Sequence, residues 1–79
     1  MSVRILFFGA TAEVACTRSQ DVDVAEGELA SSVFESVLAN HPSLAAHKLF
    51  FSVNQQFATG GEIIRDGDEL AIFTAVSGG

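Results

Sequence analysis

Leu70-Ala71-Ile72-Phe73-Thr74-Ala75-Val76-Ser77-Gly78-Gly79 closes the chain, and the rest of the sequence is read outward from it. Leu70 to Val76 is a dense apolar run of the kind that forms a buried strand. Only Ser77 separates it from two glycines. A buried strand running into a Gly-Gly end is expected to make a rigid post with a slender, flexible tip at residues 77–79. Gly78 and Gly79 lack Cβ atoms, so their backbone can thread a narrow channel and take conformations closed to other residues. The expected functional group is the α-carboxylate of Gly79, which is unreactive at neutral pH because an oxyanion is a poor leaving group. An ATP-using partner could convert it to an acyl-adenylate, from which a sulfur or amine nucleophile would displace AMP. Ser77 and Val76 either meet the wall of such a channel or complete strand-end packing. Phe73 belongs either to the core or to an interface, where aromatic residues are enriched.

Upstream of the strand, Arg65-Asp66-Gly67-Asp68-Glu69 is a strong turn signal, with Gly67 able to take positive φ. At the other end of the chain, Val3-Arg4-Ile5-Leu6-Phe7-Phe8 is nearly continuous in apolar residues and is expected to be covered on both faces. These two runs are the most apolar, so they are expected to be neighbours at the centre of one sheet. Gly9 to Thr17 is small and polar and reads as a loop. Asp21-Val22-Asp23-Val24 alternates like a half-buried strand, with Arg18-Ser19-Gln20 as the turn of an N-terminal hairpin. Leu29, Val33 and Val37, beside Ala30, Phe34 and Leu38, form one apolar stripe on a helix. The helix has no clear N-cap and should end near Asn40, because Pro42 disfavours helical geometry at His41. Ser43 to His47 is a connector or a helical turn. Lys48 to Val53 is a strand, Asn54-Gln55-Gln56 a turn, and Phe57-Ala58 a short strand. Ile63-Ile64 is a brief strand or turn edge. Strand, strand, helix, strand, short strand, strand is a segregated α+β order, with one main helix across one face of a mixed sheet.

At 79 residues the chain is expected to be a single domain, 1–79. An apolar fraction of 48% with 18% charged residues suits a packed globule rather than a disordered chain. The net charge of −6 and the sparse cations Arg4, Arg18, Lys48 and Arg65 argue against nucleic acid and against anionic membrane surfaces. An acidic chain fits a basic protein partner or serves solubility. No apolar run reaches the ~20 residues of a bilayer span, the first residues lack the layout of a signal peptide, and Cys16 stands alone, so the expected compartment is the cytoplasm. Cys16 has no neighbouring His or basic residue to activate it. His41 and His47 have no partners at zinc spacing, Asp66-Gly67-Asp68 is too short for a calcium loop, and no phosphate-binding glycine loop or Ser/His/Asp set is present. The chain therefore reads as metal-free and not itself an enzyme. Phe50, Phe51 and Phe57 lie too close together for all to be buried, which leaves some of them for a docking patch.

The order of elements, with its Gly-Gly end, resembles the β-grasp (ubiquitin-like) fold, and more narrowly the MoaD-like family of molybdopterin synthase small subunits. The resemblance runs over nearly the whole chain. It is carried by Ile5-Leu6-Phe7-Phe8, by Glu13 and Thr17 in the following loop, by the helix ending at His41-Pro42, by Val53-Asn54-Gln55, by Asp66-Gly67-Asp68-Glu69-Leu70-Ala71 and by Val76-Ser77-Gly78-Gly79. It implies that an ATP-dependent activating adenylyltransferase adenylates the Gly79 carboxylate and that sulfur transfer makes a thiocarboxylate there. It further implies that the tail inserts into the large catalytic subunit, in a heterotetramer of two small and two large chains. The sulfur would then pass to cyclic pyranopterin monophosphate, in molybdenum cofactor biosynthesis. No cofactor would be bound by the chain itself. Three positions depart from the family pattern: Thr74-Ala75 stands where Pro-Pro is common, Cys16 where Gly is common, and Ala12 where Arg is common. A ThiS-like sulfur carrier for thiamin thiazole synthesis and a ubiquitin-like protein modifier are the alternatives, and a binding domain with an incidental tail is the remaining one.

Overall fold

A computed structural model describes residues 1–74 and shows a five-stranded mixed sheet in the order β2-β1-β5-β3-β4, with β1 Ser2–Phe7, β2 Ser19–Asp23, β3 Leu49–Val53, β4 Gln56–Phe57 and β5 Glu69–Thr74. β1 and β5 pair in parallel, Ile5 opposite Leu70 and Phe7 opposite Ile72; β1–β2, β3–β5 and β3–β4 are antiparallel. Parallel neighbours need a crossover connection, and here the connection carries a helix, α2 (Ala30–Asn40). This is the β-grasp arrangement, and the two most apolar runs are adjacent as expected. The rest of the expected last strand, Ala75 and Val76, and the tail Ser77-Gly78-Gly79 lie outside the described residues.

Alternation along each strand divides the sheet into an inner and an outer face. Val3, Ile5 and Phe7 of β1 and Leu70 and Ile72 of β5 point inward and are buried together with Ala30, Val33 and Val37 of α2. Leu44, on a 3-10 turn over Pro42–Ala46, and Ile64 close the core from the side. Phe34 stacks on Phe51 at 4.3 Å, which joins the helix to β3. β1 is not covered on both faces, contrary to expectation. Ser2 and Arg4 are exposed, Leu6 is half-buried and Phe8 is 52% exposed, because the outer face has no second layer.

The stretch Gly9 to Thr17 is not a loop: it holds a short helix, α1 (Ala10–Ala15). Its composition is small and polar, but Thr11 and Ala15 are buried, so tertiary packing overrides the loop-like composition. Gly9 starts it at φ +59, ψ −131, a backbone region open almost only to glycine. β2 begins at Ser19 rather than after Gln20, since Ser19 and Gln20 already pair with Leu6 and Ile5. The β1–β2 pair is thus bridged by α1, and the turn expected at 18–20 is absent. β4 is likewise one residue earlier than expected.

α2 has Leu29 at its N-cap, with no side-chain cap. Its first donors are satisfied from elsewhere: Ala30 N–H donates to Glu62 O at 2.8 Å and Ser31 N–H to Gly60 O at 3.1 Å. A loop thirty residues downstream in the chain therefore does what a Ser or Asp cap normally does. The two short motifs of the C-terminal half are joined in the same way. Asn54 and Gln55, at φ +49 and +71, form a two-residue β3–β4 turn. Asn54 Nδ2 donates to Asp68 Oδ1 at 3.1 Å, and Glu69 N–H donates to Asn54 Oδ1 at 3.1 Å. Asp66 Oδ1 accepts Ser2 N–H at 2.7 Å, and Asp68 Oδ2 accepts Arg65 N–H at 2.8 Å. These carboxylates are engaged in holding the turn under β5.

Candidate functional site: an aromatic sheet face beside the C-terminal strand

The outer face of the sheet carries the residues that bear on function. Phe73 of β5 faces outward, since its neighbours Ile72 and Leu70 take the inner positions. It sits directly across from Phe50 of β3, with ring centroids 6.3 Å apart. Phe57, which shares the outer face because it pairs with Ser52, meets Phe73 edge-on at 5.7 Å and 66°. Phe57 is 77% exposed and Phe50 40%. The three crowded phenylalanines thus part company. Phe51 goes inward to Phe34, while Phe50 and Phe57 stay outside and take Phe73 as their third member. Alternation decides this, because adjacent strand residues cannot share a face.

Leu6 and Phe8 continue the apolar surface on the far side of β5, where they line an open groove with Ala12, Cys16 and Arg18. The charged flank of the face is β2 and its partner residues, with Arg4 Nε 3.4 Å from Asp21 Oδ1. Exposed apolar area of this kind, rimmed by polar and charged residues, is the usual mark of a protein interface.

Cys16 is exposed and forms the left-handed C-cap of α1, at φ +60 and ψ +26, with its N–H bonded to Ala12 O and Glu13 O. That geometry favours glycine. Thr17 Oγ1 donates to Ser19 O at 2.8 Å and shapes the entrance to β2. Glu62 accepts hydrogen bonds from Thr59 N–H at 2.8 Å and Gly60 N–H at 2.9 Å. The Thr59 amide is the main reason its carboxyl lies below its ordinary value, with the Glu62 and Gly60 amides adding to it.

Of the sequence-predicted site residues, Phe73 is on the outer face next to Phe50 and Phe57. Val76, Ser77, Gly78 and Gly79 lie outside the described residues. β5 ends its described part at Thr74, paired with Leu49 on the β3 side. One residue that sequence reasoning passed over is Thr11, read as part of a loop. It is buried under this end of β5 and bonded to it. Among the described residues no cluster of three or more His, Cys, Asp or Glu has the geometry to hold a metal ion, and no helix is long and apolar enough to cross a membrane.

Residues 5–79 match the ThiS family. The chain belongs to the ThiS family. Two relatives agree with it from end to end. The molybdopterin synthase sulfur carrier subunit of Chlamydomonas reinhardtii is 30% identical, with 100% of both chains covered. That of Mycobacterium tuberculosis is 32% identical, covering 100% of this chain and 99% of the relative. Among solved structures, SAMP1 of Haloferax volcanii, a small archaeal modifier protein, superposes with a TM-score of 0.88 at 30% identity over 100% of both chains. As a ThiS-family member, the chain is similar to carriers and to a modifier alike, and the β-grasp architecture is common to all of them.

Proposed function

We propose that the chain is a sulfur carrier and the small subunit of a molybdopterin synthase. The observation that carries this reading is the full-length similarity to two subunits of that name. In the proposed cycle an adenylyltransferase transfers AMP from ATP to the Gly79 carboxylate and releases pyrophosphate. Hydrosulfide then attacks the acyl-adenylate carbon, AMP leaves, and a thiocarboxylate remains. Catalysis resides in the partners, and this chain contributes the delivered group and the surface that aligns it. The Phe50, Phe57 and Phe73 face docks the large subunit, with Val76 to Gly79 extending into its active site. The structure supports this division of labour in one respect: Phe73 of the aromatic face lies on β5, next to the described end of that strand at Thr74.

A second reading, protein modification through an isopeptide bond, is favoured by the similarity to SAMP1. The family name favours a third, sulfur supply for thiazole synthesis. One experiment separates the three: capture of partners from the native cell by the chain with a free Gly79 end, against a chain lacking Gly78-Gly79. Tail-dependent recovery of a molybdopterin synthase large subunit is the expected result. A thiazole synthase in its place, or lysine-linked conjugates that vanish without Gly79, would replace the proposal with the corresponding alternative.

A further inference from the structure

β2 is an edge strand, first in the sheet order. The bonds at its two ends fix which way its main-chain groups point. Phe7 N–H donates to Arg18 O at 2.9 Å, and Val24 N–H donates to Met1 O at 2.8 Å. In an antiparallel pair such bonds recur at every second residue. Gln20 and Val22 therefore turn their N–H and C=O groups to β1, while Ser19, Asp21 and Asp23 turn theirs to the open edge. Ser2 and Arg4, opposite Asp23 and Asp21, agree with this, since they bond away from β2 to the chain at 66–68. Thr17 Oγ1 occupies the Ser19 carbonyl. Among the described residues nothing bonds the main chain of Asp21 or Asp23 from the edge side, which leaves a template for one more strand.

Between this edge and α2 lies a cavity of about 180 Å³. Its floor is apolar: Val22 and Val24 come from the strand, Val33 and Val37 from the helix. Its mouth is polar, with Ser36, Asn40 and Glu28, and among the described residues no Lys or Arg lines it. A strand laid antiparallel along β2 would alternate in step with it. The side chain opposite Val22 would drop into the cavity. Its two neighbours would stand on the outer face of the sheet, opposite Asp21 and Asp23. Both carboxylates are exposed. Arg4 Nε reaches only Oδ1 of Asp21, at 3.4 Å, and the Met1 ammonium only Oδ1 of Asp23, at 3.2 Å, so each keeps acceptor positions for another cation. Opposite charges across a strand pair stabilise it, and like charges destabilise it. A second copy's β2 would set Asp21 and Asp23 against each other, so charge selects against self-pairing and in favour of Lys or Arg.

We propose that the β2 edge is a second docking surface, which takes an extended basic segment of a partner protein by antiparallel strand addition. One branched apolar side chain of that segment fills the valine-floored cavity, and the Lys or Arg residues on either side of it pair with Asp21 and Asp23. Main-chain bonds hold the segment, and the cavity and the two carboxylates select it. The inference does not depend on the carrier reading. In the sheet order β2 and β4 are the two opposite edges, so the aromatic face around Phe57 stays free while the β2 edge is occupied.

The probe is the end-capped peptide Gly-Lys-Val-Lys-Val-Lys-Gly, titrated into the full isotope-labelled chain and followed by NMR. Saturable shifts are expected along 19–24 and at Ser36 and Asn40, with a Kd below about 1 mM. At saturation the Asp21 and Asp23 amides should exchange about five-fold more slowly, the protection that one added hydrogen bond supplies. In the antiparallel register the lysine amides face β2 and the valine amides face away. N-methylation of the lysine amides should therefore abolish binding, and N-methylation of the valine amides should leave it. Equal effects of the two would mean charge attraction alone and overturn the proposal. Ser36→Arg, at an exposed position, closes the cavity mouth and should weaken binding about ten-fold relative to Ser32→Arg, which carries the same charge elsewhere on α2. Equal affinity of these two variants also overturns it. So do shifts centred on Phe50, Phe57 and Phe73, no shifts at about 1 mM peptide, or equal binding of the peptide with Glu in place of Lys. Concentration-dependent shifts along β2 in the chain alone would put a second copy on the edge and replace the proposal.

Discussion

Phe57→Ala is the perturbation that tests the docking face most directly. The phenyl ring is 77% exposed, and a large aromatic side chain presents roughly 200 Å², so about 150 Å² of apolar surface stands in water. Burying all of it against a partner would contribute at most ~4 kcal/mol at 25 cal/mol per Å². Part of that is offset by ordering and imperfect fit, and central aromatic anchors typically lose ~2 kcal/mol or more on truncation. We expect about 2 kcal/mol, or roughly a 30-fold weaker Kd for the large subunit. The fold should notice much less. The ring's documented contact is the edge-on approach to Phe73 at 5.7 Å, a geometry that adds roughly 0.5–1.5 kcal/mol. A domain of this size would then lose no more than about 4–12 °C in Tm. The assay is calorimetric titration of the purified large subunit with wild-type chain, Phe57→Ala and, as control, Leu29→Ala. Leu29 is also exposed, at 42%, but stands at the start of α2 on the helix side. Undiminished affinity in Phe57→Ala would refute the assignment of the aromatic face. An equal loss in Leu29→Ala would show that general destabilisation, not docking, had been measured.

Adding one residue after Gly79 displaces the carboxylate and should abolish adenylation with Tm unchanged; full activity of the extended chain in a protease-free pyrophosphate-exchange assay counts against the carrier reading. Cys16→Gly should raise stability by about 0.5–1 kcal/mol in urea denaturation, because glycine takes the left-handed C-cap at φ +60 without steric cost; a loss of stability would mean that the thiol packs usefully. Asn54→Gly keeps the turn's positive φ but removes the bonds to Asp68 and Glu69, for an expected loss of about 1–2 kcal/mol in the same measurement. Glu62 contributes stability above its unfolded pKa of about 4.5, and that contribution is lost as pH falls through its lower folded pKa. Glu62→Gln should therefore flatten the fall in Tm as pH drops below about 4.5 and lower Tm slightly at neutral pH; identical pH profiles would mean that the carboxylate does not hold the 59–62 loop beside α2.

Much of the fold was legible because it rests on periodicity. The inward rows Val3, Ile5, Phe7 and Leu70, Ile72, and the helix stripe Ala30, Val33, Val37, are visible as spacing alone. The end of α2 was legible from Pro42. The crowding of aromatic residues pointed to an exposed patch; Phe73 was read as core or interface and lies on the outer face, while Val76 to Gly79 lie outside the described residues. Which of Phe50, Phe51 and Phe57 would stay outside was left open, and the fold sends Phe51 to the core. α1 was illegible because its residues are small and polar and only the burial of Thr11 and Ala15 makes a helix of them. Thr11 itself carried no signal, as its importance lies in reaching Ile72, sixty-one positions away.

Local chemistry accounts for most of the element types, the sheet's inner face and the turn at Gly67. These follow from side-chain alternation, helical spacing and backbone freedom, which act over a few residues. Long-range contact accounts for the rest. Gly60 and Glu62 carbonyls cap a helix that has no cap of its own, Asn54 fastens one turn to another, and the Thr11 hydroxyl ties α1 to Ile72 of β5. Such bonds form only where the folded backbone brings a lone donor and a lone acceptor together, and nothing in the spacing of residues along the chain records that meeting.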